Sequence, residues 1–399
     1  MNWLRLLLFF FISFIFYIII NQYFFCPCFS FKASRPFSGK EFYNPYAFIS
    51  ENDWIKCNFH AHTNAWKGFT NGKGTAADIY HTYDSMKYAV HCISDYEKID
   101  TSFSHKPGFI PAYEHGYNLN KTHQLVLGSH KVCWKDYFFP QTLNNKQRIL
   151  NCLSSDSGNV VIINHPANLN GYSPSDFKFL TNYDCIEVLN PFAISLAHWD
   201  SALSFGKPAF IVGNDDVHNV FSKNCLARMC TWVNVSEIEE ACVLSALKTG
   251  KCYGMIIGKL AEEPPVLKLF KVSNDTIAIE MNKPAKKISF TGQNGKVMAS
   301  YVSTSSAQYI IKPADHYVRA TIAYEDGTNI FLNPVFRYDG AKITQQTVFI
   351  NVRKTFAFRL LGIFILAVCL PIAFSLVVSK PIRKNLVRRS FKFAKLFPG

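Results

Sequence analysis

The chain has 399 residues, of which 49% are apolar or aromatic, enough for a sizeable core in one large domain or two of ordinary size. Of a formal charge of +14, seven positives (Lys380, Arg383, Lys384, Arg388, Arg389, Lys392 and Lys395) crowd the last twenty residues and the others form no arginine-rich stripe, so nucleic acid is not expected as a partner. The 12 cysteines are scattered singly without paired CxxC units, which argues against a structural zinc ribbon and leaves buried thiols, with room for one or two disulfides.

Near the start, Leu6 to Ile20 is almost wholly apolar and reaches bilayer length if it continues to Phe25. Bulky Phe24 and Phe25 stand before Cys26 and no small-x-small site follows, so residues 1–25 are expected to form a transmembrane helix rather than a cleaved leader. Residues 26–53, aromatic and punctuated by proline, read as a linker.

A regular alternation then begins and runs from 54 to 260. Trp54 to His60, Tyr88 to Ser94, Phe109 to Glu114, Gln124 to Leu127, Val160 to Asn164, Cys185 to Leu189 and Ala209 to Gly213 read as strands. Thr75 to Met86, Leu143 to Leu153 and Ser236 to Leu247 read as helices between them, with Ser173 and Ser236 as candidate N-caps. Such alternation predicts a mainly parallel α/β sheet, open or closed into a barrel, with functional side chains at the carboxyl ends of the strands.

From 261 to 345 the texture changes to closely spaced alternating runs, Ile277 to Met281, Tyr317 to Tyr324 and Ile330 to Phe336, which predict a small antiparallel β-domain. A second membrane helix is expected over 358–379, followed by a basic tail, 380–399. The tail marks a cytoplasmic flank. Two spans then place both termini in the cytoplasm and the domain outside the cytoplasm, although Lys32, Arg35 and Lys40 after the first span weigh the other way.

Metal-competent side chains recur where the expected strands end. His60 and His62 close the first, and residues two apart on an extended chain face the same way, so one ion reaches both. Asp95 ends the second strand and Glu114 the third; His123 begins the next, His165 ends another, Glu187 lies within the one after it, and Asp216 and His218 end the last. A mixed set of histidine and carboxylate suits zinc, manganese or iron in a hydrolytic site. His91, His105, His115, His130 and His198 stand outside this pattern.

These motifs, His60-Ala-His62-Thr63, Ser94-Asp95, Glu114, His123, His165-Pro166 and Gly213-Asn-Asp-Asp216-Val-His218, resemble in order those of the polymerase and histidinol phosphatase (PHP) family over about residues 54–260. The resemblance implies a distorted (β/α)7 barrel and a metal-dependent phosphoesterase acting on mono- or diesters. It further implies that His60, His62 and Asp216 hold one divalent ion and His123 and His165 a second, with Glu114 bridging. Lys67 and Asp95-Tyr96 stand where the family carries ligands of a third ion, so two ions are expected. That leaves Lys67, Tyr96 and His218 as candidate catalytic side chains: Lys67 as a cation meeting a phosphate oxygen, Tyr96 to position substrate, His218 to position it or protonate the leaving group. The expected substrate is a phosphorylated small molecule, lipid or glycan at the membrane. The rival reading is a non-catalytic, metal- or ligand-binding module.

Overall fold

The computed structural model describes residues 3–259, 264–341, 343 and 346–378. The expected domain boundary at 260/261 and the basic tail 380–399 lie outside the described residues. The chain forms two units, Phe29–Ile350 and a terminal unit made of the segments on either side of it.

In chain order, helix α1 (Trp3–Tyr23) precedes the short strands β1 (Phe29–Ser30) and β2 (Glu41–Tyr43). The expected alternation follows as β3 (Trp54–Asn58), α2 (Ala76–Ser85), β4 (Val90–His91), β5 (Ala112–His115), β6 (Gln124–Leu127), α3 (Leu143–Leu153), β7 (Val160–Ile163), β8 (Cys185–Leu189), α4 (Leu196–Ser204) and β9 (Phe210–Gly213). Then come β10 (Met229–Asn234), α5 (Glu240–Thr249) and β11 (Cys252–Ile256). The antiparallel region comprises β12 (Leu267–Ser273), β13 (Thr276–Gly292), β14 (Lys296–Ile310), β15 (Tyr317–Ala323), β16 (Asn329–Leu332) and β17 (Val335–Tyr338), before β18 (Phe349–Ile350) and α6 (Val352–Val378).

Local chemistry sets the helix starts. Thr75 caps α2, its hydroxyl taking the Asp78 N–H at 3.2 Å while the Asp78 carboxylate takes the Thr75 N–H at 2.7 Å. Thr142 and Asn145 repeat the device on α3, whose Ile149, Leu150 and Leu153 are buried. Helix α5 begins at Glu240, not at the expected Ser236, and ends on Gly250 in the left-handed conformation, φ 75°. A side chain there would meet the Phe210 ring, so glycine is required twice over.

The expected barrel is not closed. The strands fall into one sheet ordered β12-β13-β15-β16-β11-β10-β3-β4, with β14, β17 and β2 attached, and a second ordered β5-β6-β7-β8-β9. Nor is the sheet mainly parallel: β7-β8-β9 and β3-β4 pair in parallel, but β5-β6-β7 and β3-β10-β11 are antiparallel. Strand β4 has two residues, too few to carry a ladder across to β5. Single-residue bridges, Tyr96 with Glu114 and Ala61 with Val217, tie the two sheets together instead, both beyond the carboxyl ends of β4 and β9. Every residue of β6, β7 and β8 is buried, as for strands covered on both faces. The antiparallel strands continue the first sheet through the β11-β16 ladder. Cys133 and Cys152 form a disulfide, while Cys57, Cys92, Cys185, Cys230 and Cys252 are buried thiols.

The terminal unit contains two helices long and apolar enough to cross a membrane, Trp3–Tyr23 and Val352–Ser375 within α6. Only 6% of each apolar stretch is buried, unlike a core helix. They touch where Gly362 leaves room for Ile20, Phe24 and Phe25.

Candidate metal centre

The three residues Asn214-Asp215-Asp216, just after β9, point in three directions. Asn214 accepts the Phe59 N–H and donates to Glu187. Asp215 accepts the backbone N–H groups of Ala227, Arg228 and Met229 and the Tyr83 hydroxyl, so it pins the chain entering β10 and is structural. Asp216 turns inward with φ 47°, and His165, after β7, has φ 26°. Non-glycine residues in this region cost about 1–3 kcal/mol each, a strain that persists only where the surroundings impose it.

Together these turns bring His60, His62, Glu114, His123, His165 and Asp216 into one buried cluster. His60 Nε2 lies 3.1 Å from His62 Nε2, 3.4 Å from Glu114 Oε2 and 3.2 Å from Asp216 Oδ1. His62 Nε2 lies 3.2 Å from the same Glu114 oxygen and 3.3 Å from the same Asp216 oxygen. Four donors in a tetrahedron around an ion with bonds of about 2.0–2.1 Å would stand about 3.3–3.4 Å apart. Glu114 Oε2 and Asp216 Oδ1 are buried without a hydrogen-bond partner, as expected of oxygens kept for an ion.

The other Glu114 oxygen serves a second group. Oε1 stands 2.9 Å from His123 Nδ1 and 3.3 Å from His165 Nε2, and accepts from Asn164 Nδ2 at 3.0 Å. Glu114 therefore faces two histidine pairs, one with each oxygen. His218 adds a third grouping with His62 and Asp216, its Nδ1 2.9 Å from the Asp216 carbonyl and its Nε2 3.5 Å from the Tyr96 hydroxyl. Tyr96 also stacks on the His62 ring at 4.5 Å.

Without ions, the cluster compensates its charges with protons. Burial pulls the His60, His62 and His165 rings toward neutrality, but the carboxylates of Asp216, Glu114 and, for His60 and His165, Glu187 outweigh it, so all three pKa values are raised. For Glu114 burial is outweighed by His123 and His60, and for Asp216 chiefly by His60 and His62, so both carboxylates stay ionised below their usual range. His218 is pushed down to about 4 by burial and by neighbouring His62. Burial, with Glu114 and Asp216 close by, pushes the Tyr96 phenol up.

Lys67 is exposed in the loop after β3 and, among the described residues, makes no ion pair with the cluster. Lys121 instead lies beside Tyr96, its Nζ 5.5 Å from the centre of the ring. Glu187, fully buried in β8, accepts from His60 Nδ1 at 2.9 Å, Asn214 Nδ2, the His165 N–H and Asn190 Nδ2. It holds the His60 ring with Nε2 toward the cluster, the carboxylate–histidine arrangement common behind metal ligands. Asn190 donates to Asp216 as well. Asp95 orients the loop by accepting the Thr63 N–H and hydroxyl. No sequence motif marks Lys121, Asn164 or Asn190. Glu187 is a charge inside the apolar run Cys-Ile-Glu-Val-Leu, which a fully buried strand tolerates only with partners.

Fold and site together define a mixed α/β protein whose buried histidine–carboxylate cluster is suited to holding metal ions. Neither a family model nor a curated protein sequence matches the chain. Among solved structures, it is similar to a two-domain protein from Bacteroides vulgatus described as containing a predicted PHP-like metal-dependent phosphoesterase, at 11% identity and TM-score 0.41, over 76% of this chain and 99% of that one. It is also similar to PsfC from Pseudomonas syringae, at 12% identity and TM-score 0.34, over 49% of this chain and 87% of that one.

Proposed function

We propose that this chain is a membrane-anchored hydrolase of phosphate esters that works with two divalent ions, zinc, manganese or iron. The observation that carries the reading is Glu114, one oxygen facing His60 and His62 and the other His123 and His165. His60, His62, Glu114 and Asp216 would hold one ion, and Glu114, His123 and His165 the second. Such ions, when bound, supply Lewis acidity at the phosphoryl oxygens and a water acidic enough to act near neutral pH.

The protein's own residues position the ester. Tyr96 keeps its proton at neutral pH and aims its hydroxyl toward His218 Nε2. His218 is neutral at pH 7, its Nδ1 proton directed at the Asp216 carbonyl, so it serves better to accept and orient than to protonate a leaving group. Lys121, beside Tyr96, is better placed than exposed Lys67 to meet a phosphate oxygen. The basic tail supports cytoplasmic termini and a domain outside the cytoplasm, and the Cys133–Cys152 disulfide fits an oxidising side.

The test is elemental analysis of the purified full-length protein in detergent, beside turnover of p-nitrophenyl phosphate and bis-p-nitrophenyl phosphate. About two ions per chain with turnover abolished by a chelator is the expected result. Metal without turnover on any phosphoester would favour a binding module, and no metal would overturn the reading.

A further inference from the structure

The loops that leave the ligand-bearing strand ends carry an unusual number of exposed large apolar side chains. Trp66 and Phe69 follow His62, Trp134 lies against Trp66, Leu169 follows His165, Phe192 follows Asn190, and Phe221 follows His218. They are 47–95% exposed, Phe69 most of all. Contacts hold two of them beside the cluster: Trp66 Nε1 donates to the Tyr96 carbonyl, and the Phe192 ring lies 5.8 Å from His218. Exposed large apolar side chains on successive loops at one end of a domain mark an interaction surface, and aromatic side chains with scattered lysines, here Lys67, Lys121 and Lys223, are typical of surfaces that meet lipid headgroups.

A second observation says what covers this face. Within the domain, β1 and β18 pair with each other, Phe29 opposite Ile350 and Ser30 opposite Phe349. The ladder is held at the same end of the domain: Phe29 N–H donates to Asn144 Oδ1 in the first turn of α3, and α3 descends to the foot of β7, whose head carries His165. Ile350 is the last residue of the domain, and α6 follows it in sequence. Phe349 and Ile350 are themselves exposed. The domain's first and last residues, Phe29 and Ile350, therefore both lie at its metal-bearing end.

We propose that this end of the domain docks on the membrane surface, the apolar crown entering the headgroup region, and that the substrate is the phosphoester of a lipid in that same membrane. The substrate half rests on the phosphoesterase reading; the docking half does not. The crown replaces the water lost by a lipid's glycerol and upper chain as its phosphate rises to the cluster, so a long-chain ester is preferred over a soluble one.

Full-length protein in phosphatidylcholine vesicles containing phosphatidylglycerol, carrying p-benzoylphenylalanine in place of Phe69 or Phe221, tests the docking by photocrosslinking. Phe48, 86% exposed near the amino end of β3, is the control position. Crosslinking to lipid at least tenfold above the Phe48 position is expected at both sites; yields equal to the control, or capture of protein instead of lipid, overturn the docking. In the same vesicles, dioleoyl phosphatidic acid or dioleoyl phosphatidylglycerol should be hydrolysed at least tenfold more efficiently than its dihexanoyl counterpart. Equal efficiency, or turnover of soluble esters alone, overturns the lipid assignment. No turnover of any ester is the failure of the phosphoesterase reading itself and leaves the crosslinking result standing.

Discussion

Two buried ionic groups in this domain are built on opposite principles. Asp200 of α4 and Arg319 of β15 form a two-pronged pair, Nε to Oδ1 at 2.7 Å and Nη2 to Oδ2 at 2.9 Å, with Arg319 also donating to Thr321 and lying over the Trp199 ring. Its charges are matched within the protein, and its work is to join a helix to the sheet. Around Glu114, two carboxylate oxygens are left without hydrogen bonds, the His60 and His62 nitrogens crowd them at 3.2–3.4 Å, and two backbone turns are strained. A protein tolerates such an arrangement where something else completes it. The contrast separates a site that stabilises from a site suited to holding ions.

The largest expected effect breaks the second group at its centre. Glu114→Gln should lower metal content to below half an ion per chain and turnover by at least a thousandfold, while circular dichroism shows the fold intact; retained metal would remove Glu114 from the bridging position. Asp200→Ala should do the reverse. Leaving Arg319 buried without its partner should cost about 3–5 kcal/mol in chemical denaturation, with unchanged metal affinity. Glu187→Gln should weaken metal binding by about 10–100-fold, measured by chelator competition, because His60 loses the acceptor that fixes its ring.

pH sharpens the same comparison in metal-free protein. His60, His62 and His165 have raised folded pKa values, so their stabilising contribution is full below the ordinary value of 6.5 and disappears as pH rises through the raised values. Glu114 is lowered, so its contribution is full above 4.5 and disappears as pH falls through the lowered value. The melting temperature with chelator present should therefore fall as pH rises above about 6.5, and added metal should flatten that fall, since ions replace the protons. A flat profile without metal would contradict the charge compensation described. The smallest effect is expected from Lys67→Ala, less than twofold on turnover, because Lys67 is exposed and unpaired with the cluster.

Much of this was legible in the sequence. Strand positions followed from short apolar runs, the α2 and α3 helices from their capping residues, and the collection of histidines and carboxylates from their recurrence at strand ends, where parallel α/β architecture exposes side chains to a common site. Other features were not legible, because they depend on partners distant in the chain. Ser236 satisfied a local rule for a cap, yet α5 starts at Glu240. Asp215 and Asp216 are neighbours of the same type, and nothing local says that one grips Ala227 to Met229 and the other faces His60.

What the sequence determined by itself was therefore local: which segments extend, which coil, which carry side chains able to bind metal, and which two stretches are long and apolar enough for a bilayer. Tertiary structure decided how strands joined, leaving two sheets bridged at single residues in place of a closed barrel. It decided too that Glu187 orients while Glu114 is shared, and that Lys121 rather than Lys67 stands beside Tyr96. The physical reason is that periodicity and capping are satisfied within a few residues, whereas sheet order and the pairing of buried charges are settled only by groups brought together from across the chain.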